Sequence, residues 1–432
     1  MLSRLIENGR QLFRQIVPSR EDQIPFSWSY APHAFMYQIP LLLLAYLARR
    51  RDTGLLRQLL IPVVIIPGLQ GTFKYYGTEP DFFALTWMRG IIFFHALAMA
   101  LDFGLTPEGK LKAGETTLAP MGNSLSASTG SEHPVAGCAK PPRRIFSGLL
   151  DAFELTTRPR GIGWKDSVNT PIPAPPLYKS RSDFLKSRLF IFIRNTLVMD
   201  VCDILLRAFP DICNPTGGSM FYTHLPPIQR YFVSTIINLI FGLFGYLAIT
   251  TTQVWMSAIG VGLLGQAPSD WPPLMDRPWV STSLHEFWGR RWHQMMRRPL
   301  AILGGIPGEW IAGRVGMVLG VFVASGLFHE FSAYVLPGHL DHRVTLFFTL
   351  QAVGILAEDL YRKVTGQKSG GWLGRAWVAL FVVGFGQLCV DVWLVRGIAG
   401  NSGYFPAHIS PARKFVAPIA YPIAEKLLHP WY

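Results

Sequence analysis

Apolar blocks recur along this chain near residues 31–48, 55–72, 82–103, 189–209, 229–250, 252–266, 313–336, 344–361 and 376–397. A helix needs about 20 predominantly apolar residues to cross a bilayer. Inside lipid every backbone polar group must also be bonded within the spanning structure. The blocks therefore predict an all-α, polytopic transmembrane helix bundle of about eight or nine spans. The 252–266 block is short, and reads either as a re-entrant segment or as the continuation of its neighbour. A weaker block at 412–428 is broken by Pro418 and Pro422.

Composition agrees with the blocks. Half of the 432 residues are hydrophobic and 16% are charged, against about a quarter charged in a soluble domain, and the mean hydropathy is +0.26. One membrane-embedded domain over residues 29–432 fits better than two or three soluble ones. Cys138, Cys202, Cys213 and Cys389 are scattered without paired spacing, which argues against both a disulfide framework and a cysteine-based metal site.

The net charge is +13, but the basic residues lie beside apolar blocks and form no stripe. Positive-inside bias explains that placement, so the expected partner is a lipid bilayer and no nucleic acid. Residues 1–28 form the N-terminal segment. Within it, Met1 to Arg20 carries apolar residues at helical spacing and four arginines, the pattern of an amphipathic helix on the membrane surface rather than a cleavable signal.

Three polar islands separate the blocks, at 105–187, 267–298 and 361–375. In the first, the run GETTLAPMGNSLSASTGSEHP is small and polar enough to stay disordered. From Cys138 to Arg188 there are ten Lys+Arg against four Asp+Glu, and the compact run Arg158-Pro-Arg160-Gly161-Ile-Gly163-Trp164 argues for order. All three islands are expected to face the cytosol and the Pro337–Arg343 turn the lumen.

Several motifs are absent or misleading. Gly260-Val-Gly262-Leu-Leu-Gly265 matches a dinucleotide fingerprint but sits in an apolar block without a βαβ unit, where close helix packing explains it. Neither His285-Glu286 nor His329-Glu330 continues to the second histidine of HExxH, and no GxSxG elbow exists. No metal site is expected.

Two segments carry chemistry. In Ser283-Leu-His285-Glu286-Phe-Trp288-Gly-Arg290-Arg291-Trp292-His293, Ser283 and Glu286 form a capping-box pattern that starts a helix at Leu284. Glu286, Arg290 and His293 then fall on one helical face beside a Trp288–Trp292 strip. An interfacial helix anchored by tryptophan and arginine is the alternative reading.

The second segment is the span Arg314 to Glu330. Gly316, Gly320 and Ala324 make a small-residue packing stripe. His329 lies almost opposite Gly320, on the face of Ser325 and Ser332. A charged group facing lipid costs about 2.5–3.5 kcal/mol, so the His329–Glu330 pair is expected to line a cavity. In the fourth block Asp203 and Arg207 are expected to pair at i, i+4.

The motif SLHEFWGRRWH, with His329 thirty-six residues after His293 in a span ending SGLFHE, resembles the membrane-bound O-acyltransferase superfamily. It is more narrowly similar to the wax-synthase-like branch, including fungal enzymes that acetylate terpenoids and meroterpenoids. The RGIGW run at Arg160 to Trp164 resembles another stretch of that branch.

The resemblance implies transfer of an acyl group from acyl-CoA to an alcohol within a tunnel through the bundle. No cofactor or metal is held; acyl-CoA, in this branch acetyl-CoA, is the cosubstrate. His329 is implied as the catalytic histidine. His293 occupies a position filled by Asn in several branches, and two roles stay open for it: a donor to the thioester oxygen, or a group orienting the acceptor.

Arg290, Arg291, Arg297 and Arg298 would meet the CoA phosphates, with Trp288, Trp292 and Ser325 along the substrate path. The implied acceptor is a hydrophobic small-molecule alcohol of terpenoid or meroterpenoid type in secondary-metabolite biosynthesis, and the implied location is the endoplasmic reticulum. A long-chain wax-ester synthase is the alternative within this class. A membrane transporter is the alternative from another class, and it is disfavoured because neither motif recurs as an internal repeat. Acceptor identity and oligomeric state stay open.

Overall fold

The computed structural model describes residues 11, 14–79, 83–118, 144–158, 160–336, 340–400 and 403–430. Most of the expected N-terminal amphipathic helix, most of the expected disordered run and part of the 337–343 turn lie outside the described residues. The described chain is mostly helical, with almost no strand. Among the described residues six segments are long and apolar enough to cross a membrane: Gly54–Phe73, Thr86–Leu105, Pro227–Gly262, Arg297–Val335, Arg343–Thr365 and Gly371–Val395.

The chain divides into two compact units. The first comprises residues 1–75, 92–170 and 295–302, and the second the remainder.

The first unit contains α1 (Gln38–Leu47), α2 (Gly54–Phe73), the C-terminal part of α3 (Phe83–Leu105) and α4 (Arg144–Thr157). The 31–48 block is thus broken into short helices. The buried Arg57 guanidinium donates to the carbonyls of Phe103 and Thr106 at 2.7 and 2.8 Å, satisfying orphan acceptors at the end of α3. The RGIGW run is ordered. Gly161 and Gly163 take φ of +61° and +90°, which favour glycine, and Ala113 N–H donates to Gly163 O at 2.9 Å. Trp164 is buried with the Arg49 and Lys112 cations 5.2 and 5.6 Å from its ring, and Arg49 is held by Glu115 and Asp151. This motif anchors the basic loop.

The second unit contains α5 (Arg181–Arg207), α6 (Pro227–Gly262), α7 (Leu284–Glu286), α8 (Ile306–Ser332), α9 (Arg343–Thr365), α10 (Gly371–Ala379), α11 (Gly386–Val395), α12 (Pro411–Phe415) and α13 (Ala417–Leu428). The short 252–266 block continues its neighbour, since α6 runs unbroken as far as Gly262. Gly260 lets Trp271 and the Gln266 side chain approach the helix, so the dinucleotide-like run is a packing surface. Asp203 and Arg207 pair as expected, at 2.8 Å. Asp200 accepts from Ala412 N–H and Ser410 Oγ at 2.8 Å each, tying the last helices to α5.

α8 is not one straight rod. Ala312 and Gly313 leave helical geometry, with Gly313 at φ 56° and ψ −142°. Beyond them the chain doubles back: a Cβ on Gly304 would collide with the carbonyl of Gly320, and one on Gly308 with that of Gly316. On a straight helix Gly304 and Gly320 would be roughly 24 Å apart. The predicted stripe therefore packs, and its partner is the 304–308 limb of a helical hairpin.

Candidate active site

The Ser283–His293 segment is built from its start. Ser283 Oγ accepts from Glu286 N–H at 3.0 Å, as the capping pattern predicts. The Glu286 carboxylate reaches back to Thr282 N–H at 2.9 Å, one residue beyond the usual capping-box partner. The Glu358 carboxylate of α9 accepts the next two amides, from Leu284 at 2.6 Å and His285 at 3.1 Å. α7 is thus fastened to α9 at its first turn.

The helix then widens. Phe287–Arg291 is a π-turn, closed by Trp292 N–H on Phe287 O at 2.8 Å, and Trp292 is extended at ψ 157°. This corrects the expected single face. Glu286 ends α7 and Arg290 lies in the turn, but His293 has left the helix. The π spacing instead pairs Glu286 with Arg291, five residues on, at 2.7 Å. Burial alone would raise the Glu286 pKa, but Thr282 N–H and the Arg291 guanidinium outweigh it and hold the carboxyl below its ordinary value. The Gln294 amide closes the end of the turn, donating to Trp288 O and Trp292 O.

Trp288 points into the bundle, so the anchor reading of this residue gives way to packing. Its Nε1–H donates to Gln351 Oε1 at 3.1 Å, and its ring lies 5.9 Å from Phe322 and 6.1 Å from Phe348. Gln351, fully buried, passes its own N–H to Phe381 O at 2.8 Å. Phe348 continues the wall by stacking on His329, centroids 4.5 Å apart and 18° between planes. Trp393 also lies near the His329 ring, at 6.0 Å with 35° between planes.

His329 Nδ1 lies 2.7 Å from the carbonyl of Ser325. A carbonyl only accepts, so Nδ1 carries the proton and Nε2 presents a lone pair. Ser325 thus contributes its backbone to the site. His293, half-buried beside Trp292 at 5.5 Å, has a buried Nδ1 without a partner among the described residues. Burial first, and the neighbouring His329 second, lower its pKa to about 4, so it is neutral at pH 7. Next to His329, the buried Glu330 carboxylate accepts Asp341 N–H at 2.6 Å and meets Arg396 at 3.3 Å.

The arginines differ in their engagements. Arg290 is 63% exposed and 3.6 Å from Asp276, on an open groove of about 710 Å³ lined by Pro171, Pro173, Pro273 and Arg277. Arg291 is held by Glu286 and by Asp276 O. Arg297 and Arg298 fall in the first unit, where Arg298 forms a two-point ion pair with Asp102.

Sequence reasoning missed Phe348, Gln351, Glu358 and Trp393. Gln351 and Glu358 carried a usable signal: two polar residues seven apart, on one face of an apolar block. Phe348 and Trp393 carried none, because an aromatic residue in an apolar block is ordinary core.

Residues 271–350, which include both histidines, match the model of the membrane bound O-acyl transferase family. The chain is 27% identical over 275 residues to acetyltransferase aurG of Calcarisporium arbuscula, covering 57% of this chain and 66% of that protein. It is likewise 27% identical over 275 residues to O-mevalon transferase macI of Penicillium terrestre, covering 54% and 59%. Over 126 residues it is 31% identical to a long-chain-alcohol O-fatty-acyltransferase of Simmondsia chinensis, covering 27% and 36%. The matches thus span two thirds or less of each of these relatives. No solved structure matches. The segment that carries the two histidines is thus similar to the membrane bound O-acyl transferase family, and the chain is similar to fungal acetyltransferases and O-mevalon transferases.

Proposed function

We propose that this protein is an O-acyltransferase that moves an acyl group, in the first instance acetyl, from acyl-CoA to a hydroxyl of a hydrophobic terpenoid-like acceptor. The observation that carries this reading is the tautomer of His329: with Nδ1 donating to Ser325 O, Nε2 is a base poised for an alcohol proton. Similarity to a fungal acetyltransferase over more than half of the chain supports acetyl as the acyl group.

In this reading the acceptor O–H gives its proton to His329 Nε2 while its oxygen attacks the thioester carbonyl. The negative charge on the tetrahedral intermediate needs a donor, and neutral His293 supplies one. Collapse expels the CoA thiolate, which takes the proton from the imidazolium, leaving ester, CoA thiol and a neutral His329. The Phe348 and Trp288 wall excludes water from the acyl group, so transfer outruns hydrolysis. Arg290 offers an exposed charge for the CoA phosphates. The protein acts in the endoplasmic reticulum as a single membrane-embedded domain of eight or nine crossings, with its polar islands cytosolic and its substrates meeting in a tunnel.

The test is incubation of microsomes containing the protein with labelled acetyl-CoA or palmitoyl-CoA, and with either a terpenoid alcohol or a fatty alcohol. Labelled acetyl terpenoid is expected. Ester from palmitoyl-CoA and fatty alcohol alone would make the protein a wax-ester synthase, and no ester from any pairing would overturn acyl transfer.

A further inference from the structure

Beside His329 the structure holds buried hydrogen-bonding groups that the proposed mechanism does not use. Trp393 lies 6.0 Å from the His329 ring, and Trp87 lies 5.1 Å from Trp393. The Nε1 atoms of both indoles are buried and have no partner among the described residues, and neither does the hydroxyl of Ser332, three residues past His329. An indole N–H can only donate, and a buried one ordinarily finds an acceptor.

One such donor thus lies beside the imidazole and the second lies against the first, each without an acceptor among the described residues. Backbone packing puts them there. Gly90, three residues after Trp87 and so on the same side of α3, lies against the backbone of Ser332, and Gly77 N–H donates to Val335 O at 3.2 Å. The start of α3 is thereby held to the turn that ends α8. Trp393 also packs against Phe241 at 6.1 Å.

We propose that Trp393 and Trp87 form the recognition edge of the acceptor site, each donating its indole N–H to an acceptor oxygen other than the reacting hydroxyl. The substrate class is then a rigid, largely apolar alcohol that carries at least one further carbonyl, ether or hydroxyl oxygen, flanked by the faces of Trp393 and Phe348. An alcohol with a plain hydrocarbon body leaves the two donors unsatisfied on binding, and the site discriminates against it for that reason. The inference rests on the acyl-transfer reading and goes beyond it by naming what the rest of the acceptor must contain.

The experiment uses the full-length protein in microsomes with labelled acetyl-CoA and two probes: a bicyclic sesquiterpene alcohol, and the same alcohol with an added ring ketone. Ester formation from either probe by the unaltered protein establishes acyl transfer separately from the inference. The unaltered protein is expected to prefer the keto-alcohol in kcat/KM by at least tenfold. Trp393→Phe and Trp87→Phe keep an aromatic ring and remove the N–H, so each is expected to reduce that preference severalfold through the acceptor KM, with the KM for acetyl-CoA unmoved. Equal kcat/KM for the two probes in the unaltered protein, or a preference unchanged in both variants, overturns the inference while leaving acyl transfer standing. Absence of ester from both probes overturns both.

Discussion

Glu358 makes a sharp test of how the π-turn is held. Its carboxylate accepts the Leu284 and His285 amides at 2.6 and 3.1 Å and is mostly buried. Glu358→Ala leaves both amides without an acceptor at a helix start that has few others. A hydrogen bond to a charged group contributes about 1.5 kcal/mol at the low end, so two give about 3 kcal/mol, or roughly 150-fold in the local opening equilibrium at about 1.4 kcal/mol per decade. The assay is amide hydrogen exchange in detergent micelles, read over peptides covering 281–294 and, for comparison, α6. Exchange in 281–294 is expected to rise by about two orders of magnitude with α6 unchanged. Unchanged exchange there, or an equal rise in both regions, would refute the claim that Glu358 acts as a local clamp on the segment leading to His293.

Three further outcomes are expected. His293→Ala removes the proposed oxyanion donor and should lower kcat by about a hundredfold to a thousandfold, whereas His293→Asn keeps a donor and should retain part of the rate; equal inactivity in folded protein would argue for proton transfer at His293. Gly320→Val drives a side chain into the Gly304 carbonyl and should abolish monodisperse expression by size exclusion, while Gly242→Ala, with open space around its Cβ, should express normally. Because the folded pKa of His293 is lowered to about 4 from about 6.5 in the unfolded chain, the unfolded state binds the proton first as pH falls. Stability from this group is intact above about pH 6.5 and lost progressively towards pH 4, by on the order of 3 kcal/mol; thermal unfolding between those pH values should show a smaller loss in His293→Asn.

The apolar blocks made a multi-pass helical chain legible because lipid imposes a length and a polarity on every crossing. Less was visible wherever the chain departs from a regular rod. The small-residue stripe of Gly316, Gly320 and Ala324 announced a close contact, but not that its partner was the preceding limb. Only the backbone at Gly313, free to take positive φ, reveals the turn between them. Ser283 marked the start of α7 because a cap is a local signal. The π-turn that follows was hidden, since it depends on Glu358, Gln351 and Gln294 holding the chain in place, and a 3.6-residue period carried the expected face past its true end. His329 drew attention in the sequence because a titratable residue on the polar face of an apolar span has few structural uses. Its aromatic surroundings, Phe348 and Trp393, come from α9 and α11, through pairings that sequence spacing does not encode.

The central claim is that His329 Nε2 accepts the alcohol proton. Its most direct measurement is the initial rate of ester formation by His329→Ala against the unaltered protein, at saturating acyl-CoA and acceptor, in preparations matched by detergent size exclusion. Because the stripe at Gly304 and Gly320 is untouched, the variant is expected to insert and fold normally, and loss of a general base should lower the rate by about a hundredfold to ten-thousandfold. A folded His329→Ala protein turning over within a few-fold of the unaltered one would contradict the account.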